Sequence, residues 1–160
     1  MKRIARETHN LLLKNSKTVA TAESCTGGLL AKMLTDLSCS SKFFILGVIT
    51  YSNSAKKNIL KIPGTKIAKY GAVSEQIARL MAKQIRIIAK SDLGIGITGI
   101  AGPTGGSLSK PVGTVFIAID QKNRTLCKKF NFKGRRAIIR QAAAFKALEL
   151  LRSQCELSSP

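Results

Sequence analysis

Three side chains between residues 41 and 56 could together perform nucleophilic catalysis, namely Ser41, Tyr51 and Lys56. A serine hydroxyl is a weak nucleophile until a base takes its proton, and a neutral lysine can be that base. Such a lysine needs a lowered pKa, from burial or from nearby positive charge. An ordinary tyrosine at a strand end and a solvated lysine would explain the same residues, and taken alone they favour this simpler interpretation.

The turn Thr26-Gly27-Gly28 precedes a predicted helix and could bind an anion. Glycines at a helix start expose backbone N–H groups at the positive end of the helix dipole, where a phosphate or carboxylate is stabilised. Ordinary capping of the helix by Ser24 or Thr26 is an equally good explanation.

The segment Gly94-Ile95-Gly96-Ile97-Thr98-Gly99 matches the pattern G-x-G-x-x-G, but its context argues against a dinucleotide site. That fingerprint must follow a strand and open a helix. Here the glycines lie inside an apolar run, and Ala101-Gly102-Pro103 prevents a helix from following. We interpret the segment as a strand whose glycines allow close approach to its backbone.

Composition limits the other classes of function. The single histidine, His9, and four scattered cysteines make a zinc site or a Ser-His-Asp triad improbable. No apolar run approaches the roughly 20 residues of a membrane helix, so a cytoplasmic protein with no membrane association is expected. The net charge of +19 would suit nucleic acid. The lysines are spread along the chain and aromatic residues are few, so a solvated surface is favoured over a nucleic-acid face.

The pattern of apolar residues predicts an α/β fold. Strands are predicted at 19–22, 43–49, 93–100, 115–120 and 126–132, and helices at 3–15, 29–37, 75–90 and 135–152, with short helices around Lys56 and before Tyr70. Helices interleaved with strands indicate a three-layer α/β/α single domain with a mixed, mainly parallel sheet. Polar residues collect where the strands end, which is where open α/β sheets place their sites.

Five motifs occur along the chain in the order of one known family. They are Thr21-Ala22-Glu23-Ser24-Cys25-Thr26-Gly27-Gly28, Val48-Ile49-Thr50-Tyr51-Ser52-Asn53, Gly71-Ala72-Val73-Ser74-Glu75, Thr98-Gly99-Ile100-Ala101-Gly102-Pro103 and Lys110-Pro111-Val112-Gly113-Thr114. With them the chain resembles the C-terminal domain family of the competence/damage-inducible protein CinA. The resemblance implies one domain over residues 1–160, without the molybdopterin-binding-like N-terminal module of longer members.

The resemblance also implies an activity. Stand-alone members include a nicotinamide-nucleotide amidase, which deamidates nicotinamide mononucleotide to nicotinate mononucleotide and ammonia, without a metal or organic cofactor and commonly as a homo-oligomer. The alternatives are a basic protein that binds nucleic acid and a family member that has lost turnover.

Carried onto this chain, the resemblance makes Ser41 the nucleophile, Lys56 the base, and Tyr51 and Ser24 assisting groups, although which serine attacks stays open. The expected substrate-binding residues are Thr26, Gly27, Gly28, Asn53, Thr98, Gly99, Ala101, Gly102 and Arg136, with Arg140 a weaker match than Arg136. Either the Gly27-Gly28 turn or the loop 99–102 could hold the oxyanion or the phosphate. Thr98 replaces a usual serine, and Cys39 replaces a usual glycine.

Overall fold

The computed structural model describes residues 2–156. Its elements in chain order are α1 (Lys2–Lys14), β1 (Val19–Glu23), α2 (Leu29–Thr35), a 3-10 turn (Ser40–Lys42), β2 (Phe44–Ile49), α3 (Asn53–Asn58), α4 (Gly64–Tyr70), α5 (Glu75–Ala89), β3 (Leu93–Gly99), β4 (Thr114–Gln121), β5 (Arg124–Asn131) and α6 (Arg136–Glu156). The predicted α/β class, order and types of element are confirmed, with most boundaries within one to three residues of the prediction.

One sheet of five strands, in the order β2-β1-β3-β4-β5, forms the middle layer of the described residues. β1 pairs in parallel with β2 and β3, whereas β4 is antiparallel to both β3 and β5. Four strands therefore point the same way, and β4 alone is reversed. We call the end of the sheet at which β1, β2 and β3 finish the carboxyl end, and the opposite one the amino end.

Alternating residues of β1 and β3 face two apolar layers. Val19, Ile95 and Ile97 pack in a cluster with residues of α1, α2 and α6. On the other face, Ala20 and Ala22 pack in a cluster with residues of α5 and the α4 region. This period-two alternation is what a strand covered on both faces requires, and it produces the three layers.

Glycines in β3 set how closely α5 packs on the sheet. A Cβ atom on Gly94 would lie 2.1 Å from the Ala82 carbonyl oxygen, and one on Gly96 would lie 2.4 Å from the Ala78 carbonyl oxygen. Both positions therefore have room only for hydrogen. This confirms the interpretation that glycines of this strand allow close approach to its backbone, here by α5 at Gly94 and Gly96.

Candidate active site

Most of the predicted site residues line one cleft of about 280 Å³ at the carboxyl end of the sheet. Ser24 follows β1, Tyr51 follows β2, and the loop 100–102 follows β3, so parallel strands deliver three chain segments to one place. The predicted residues on its walls are Ser24, Tyr51, Asn53, Lys56, Thr98, Gly99, Ala101, Gly102 and Arg136.

Lys56 reaches this cleft from α3 with a buried side chain that is 1% exposed. Ser52 starts the helix, because its hydroxyl accepts a hydrogen bond from the backbone N–H of Ala55. The Lys56 amine lies 3.2 Å from Ser24 Oγ, 2.8 Å from the Thr50 carbonyl oxygen and 3.3 Å from the Tyr51 carbonyl oxygen. Burial in this pocket lowers the pKa of Lys56, because desolvation penalises the charged ammonium form.

The three contacts of Lys56 match the three N–H bonds of an ammonium, because its Nζ donates to Ser24 Oγ and to two backbone carbonyl oxygens. Once the ammonium loses one proton, its two remaining N–H bonds can stay on the carbonyl oxygens, and its lone pair can accept the proton of the Ser24 hydroxyl. Ser24 and Lys56 thus form a pair of hydroxyl and amine with the geometry of a nucleophile and its general base.

Ser41 does not lie beside Lys56. It is an exposed residue of the turn Ser40–Lys42, which precedes β2 at the amino end of the sheet, whereas Tyr51 follows the same strand. The length of β2 separates them by about 20 Å, at ~3.3 Å per residue. The predicted pairing of Ser41 with Lys56 is therefore corrected, because the hydroxyl beside this amine belongs to Ser24.

Arg136 joins two walls of the cleft. Its guanidinium donates one hydrogen bond to the Gly102 carbonyl oxygen at 2.8 Å and another to the Tyr51 hydroxyl at 2.7 Å. Arg136 and Tyr51 are both exposed. They therefore place a fixed positive charge and a phenol at the mouth of the cleft, where an anionic group of a ligand would meet them.

Thr98 and Lys110 hold the wall formed by Ala72 and Val73. The Thr98 hydroxyl donates to the Ala72 carbonyl oxygen at 2.8 Å, and the Lys110 ammonium donates to the Val73 carbonyl oxygen at 2.7 Å. Relatives usually have serine at the position of Thr98, and Thr98 keeps its hydroxyl. That hydroxyl is already hydrogen-bonded to the protein backbone. Lys110 was not predicted as a site residue, although it lies in one of the five motifs.

Glu23 is the second residue that the sequence did not reveal. Its buried carboxylate accepts hydrogen bonds from the backbone N–H groups of Gly28, Leu30 and Ala31, at 3.0, 3.2 and 2.8 Å. An intramolecular carboxylate therefore occupies the start of α2. It takes the place of both predicted roles of this turn, an anion-binding cradle and a helix cap from Ser24 or Thr26. The sequence shows only a glutamate at the end of an apolar run, directly before the serine.

The other groups of this turn are also engaged by the protein. The Gly27 N–H donates to the Ser24 carbonyl oxygen. Arg140 donates to the carbonyl oxygens of Cys25 and Thr26, at 3.1 and 2.9 Å. Thr26, Gly27 and Gly28 do not line the cleft. Their role in substrate binding stays a prediction that this geometry does not support, and Arg140 holds the turn from α6.

The thiol next to Ser24 is poorly suited to be the nucleophile. Cys25 is 4% exposed, and desolvation raises the pKa of its thiol to about 12. At neutral pH almost none of it is the reactive thiolate. All four cysteines are free.

His9 lies far from the pair. Its ring is buried, not surface-exposed as its polar neighbours in sequence indicate, and it packs edge-on against Phe43 with ring centroids 5.0 Å apart. Phe43 precedes β2, at the amino end of the sheet.

Within residues 2–156, no group of three or more His, Cys, Asp or Glu residues could hold a metal ion. No helix in this range is long and apolar enough to cross a membrane.

Comparison with known proteins agrees with this architecture. The sequence profile of a family described as the CinA C-terminal domain matches residues 1–155. A CinA-like protein of Geobacter sulfurreducens is 47% identical over 142 residues, which cover 89% of this chain and 34% of that protein. The chain thus spans about a third of the length of the curated relatives it matches.

Solved structures cover the whole fold. The competence damage-inducible protein A from Klebsiella pneumoniae superposes with a TM-score of 0.94 at 32% identity, covering 99% of this chain and 98% of that one. A competence/damage inducible protein from Agrobacterium tumefaciens gives a TM-score of 0.92 at 37% identity, covering 95% and 93% of the two chains.

Proposed function

The chain belongs to the CinA C-terminal domain family, and from this premise we propose that it is an amidohydrolase that converts nicotinamide mononucleotide to nicotinate mononucleotide and ammonia. The observation that carries the proposal is the contact of 3.2 Å between the buried Lys56 amine and Ser24 Oγ. A hydroxyl paired with a desolvated amine supplies the nucleophile and the general base that acyl transfer needs, without histidine or metal. The carboxamide substrate is the one that the family resemblance implies.

In the first half of the reaction, Lys56 accepts the proton of Ser24 as Ser24 Oγ attacks the carboxamide carbon. The resulting ammonium donates this proton to the leaving nitrogen when the C–N bond breaks and ammonia departs. The product of this half is an ester between Ser24 and the nicotinate carbonyl. The lowered pKa of Lys56 serves both steps, because one amine must accept and then release the same proton.

In the second half, water attacks the ester and Lys56 accepts its proton. The tetrahedral intermediate collapses, Ser24 Oγ leaves with a proton from Lys56, and nicotinate mononucleotide is released. One water molecule is consumed for each ammonia, and the enzyme returns to its starting state.

Oxyanion stabilisation is assigned to the loop after β3. The N–H groups of Ala101 and Gly102 donate no backbone hydrogen bond within residues 2–156, although Ala101 is 5% exposed and lines the cleft. Buried donors without acceptors are expensive unless a ligand uses them. The alternative at Gly27-Gly28 is disfavoured because Ser24 and Glu23 already accept those two N–H groups.

Arg136 is assigned to the substrate phosphate. Its guanidinium lies at the exposed mouth of the cleft, and arginine recognises phosphate by paired hydrogen bonds. Asn53, which also lines the cleft, is left to contact the ribose or the carboxamide. This arrangement puts the phosphate outside and the scissile amide inside, beside the buried amine.

The test is ammonia release from nicotinamide mononucleotide by the wild-type protein, Ser24→Ala and Ser41→Ala. Removing a nucleophile of this kind typically lowers kcat by about a thousandfold or more. Ser24→Ala is expected to show this loss with its fold retained. Ser41→Ala is the matched control and is expected to stay close to wild type, because Ser41 is exposed at the other end of the sheet.

The reverse result, with turnover lost in Ser41→Ala and kept in Ser24→Ala, would contradict the assignment of the nucleophile. If the wild-type protein is inactive, the result would favour one of two hypotheses: that the chain has lost catalytic activity, or that its basic surface carries its function.

The cytoplasmic location and the homo-oligomeric state stay predictions. For the latter, exposed Ile45 and Ile49 on the edge strand β2 offer an apolar surface.

A further inference from the structure

A second cleft, of about 400 Å³, lies at the amino end of the sheet. Its walls come from Lys17 before β1, the Ser91-Asp92 loop before β3, and the turn between β4 and β5. β3 begins here and ends at the candidate active site, so its seven residues separate the two clefts by about 23 Å, at ~3.3 Å per residue. The volume is within the range of pockets that bind small molecules, which is roughly 300–1,000 Å³.

The charge of this cleft is positive. Lys17, Arg86, Lys122 and Arg124 line it, and Asp92 is the acidic residue among its lining residues. The Asp92 carboxylate is already satisfied, because it accepts hydrogen bonds from the Thr18 N–H and hydroxyl and lies near the Lys17 ammonium. The side chains of Lys122 and Arg124 make no hydrogen bond or ion pair within residues 2–156.

Arg86 is the part of the cleft that requires a partner. Its side chain is 19% exposed, and its Nε donates to the Asp120 carboxylate at 2.6 Å. Asp120, itself buried, also accepts from the Thr125 hydroxyl. The two terminal nitrogens of Arg86 donate no hydrogen bond within residues 2–156, although a guanidinium carries four N–H bonds there. Arg86 is a mostly buried cation whose Nε edge is bonded to Asp120, so the edge with the two terminal nitrogens is left for a ligand.

We propose that this cleft is a binding site for a small phosphorylated anion, held by the terminal nitrogens of Arg86 and by Lys122 and Arg124. Asp120 fixes the Arg86 guanidinium from behind, so the fork that faces the cleft is pre-organised. The β4–β5 turn brings the other two cations to the same opening. The site is separate from the Ser24–Lys56 pair and does not depend on the proposed reaction.

The experiment is a titration of the ¹⁵N-labelled 160-residue chain with inorganic phosphate and with ribose 5-phosphate, at constant ionic strength, followed by NMR. The Arg86 Nε–H signal and the amide signals of residues 121–124 are expected to shift and saturate. The double variant Lys122→Ala/Arg124→Ala should weaken this binding at least tenfold. Lys122 lies on the turn and Arg124 is the first residue of β5, and both are exposed, so the fold should survive their replacement.

Lys66→Ala/Lys83→Ala is the matched control, since it removes the same charge from exposed positions on α4 and α5 and should leave the affinity unchanged. Arg136→Ala should also leave the Arg86 signal responsive, because Arg136 belongs to the other cleft. The proposal would be overturned by a linear, non-saturating response, by equal losses in the two double variants, or by shifts confined to residues around Ser24.

Discussion

At the residue scale, Lys56 gains its properties from the atoms around it. Its amine is surrounded by two backbone carbonyl oxygens and one hydroxyl and is closed off from solvent. Desolvation opposes the charged ammonium form and is the main cause of the lowered pKa of Lys56. At any given pH, a larger fraction of this amine is therefore neutral than of a solvated lysine.

The pH dependence of the reaction should report this shift. As the pH rises through the lowered pKa of Lys56, kcat/KM should rise, with an apparent pKa below the ordinary value of 10.5. Lys56→Arg keeps the charge but cannot supply a neutral base, so its kcat/KM should fall by about a hundredfold or more and lose this rise. A Lys56→Arg protein with the wild-type profile would contradict the assignment of the base.

The same shift also makes a stability prediction with a definite sign. Between the lowered pKa and 10.5, the unfolded chain binds a proton at Lys56 that the folded chain does not hold. Across that window, Lys56 therefore makes the free energy of unfolding increase with pH. Urea unfolding at several pH values, compared with Lys56→Ala, would measure this contribution.

The site could be predicted only in part. Ser24, Tyr51, Ala101 and Gly102 lie in the family motifs, Lys56 and Arg136 were assigned through the resemblance outside them, and all six line the cleft. Ser41 was misassigned because the family's nucleophile was carried onto the wrong serine, although the strand predicted at 43–49 already separates residue 41 from Tyr51 and Lys56. Glu23 was missed because the acceptor for the N–H groups of a helix start is a matter of side-chain direction, which the residue type does not determine.

At the element scale, β3 and α5 depend on each other through two glycines. The Cβ positions at Gly94 and Gly96 fall on backbone atoms of α5, which cannot rotate away as a side chain could. These elements carry Thr98 and the loop 100–102, so their packing positions one wall of the cleft.

Gly96→Ala should therefore lower the free energy of unfolding by about 1–3 kcal/mol or more, because α5 must move away from the sheet. The matched control is Gly64→Ala at the start of α4. There the nearest atom to a new Cβ is the flexible end of Lys57, at 3.4 Å. Urea or thermal unfolding of both variants makes the comparison, and equal destabilisation would contradict the close-approach interpretation.

The elements themselves were predictable because their signals are local. Apolar periodicity marked the strands and helices, and α5 begins after Ser74, a common capping residue whose hydroxyl accepts the Ile77 N–H. Strand order and the three layers depend on long-range pairing, and the sequence indicates these only through the general preferences of α/β folds.

At the scale of the whole molecule, the sheet separates two clefts and the surface carries the excess charge. Exposed lysines lie on several elements, including Lys32 on α2, Lys69 on α4 and Lys128 on β5. The net charge of +19 is thus a property of the overall surface more than of one nucleic-acid-binding face.

DNA binding by this surface should be non-specific and strongly dependent on salt. Affinity for a short duplex should fall steeply between about 50 mM and about 200 mM salt, because binding releases counterions from the phosphates. Replacing Lys128 and Lys129 by Asp should weaken it only in part. Binding that persists at physiological salt and disappears in this variant would instead indicate a dedicated face for nucleic acid, measurable by fluorescence anisotropy.

The carboxylate of Glu23 has one more consequence, for hydrogen exchange with solvent. The amide protons of Gly28, Leu30 and Ala31 all depend on this one side chain for an acceptor. A single rotation of the carboxylate would expose the three protons together, so their exchange should follow one shared opening free energy. Because Glu23 immediately precedes Ser24, the common exchange rate of these three amides would report how often the segment carrying the Ser24 hydroxyl opens.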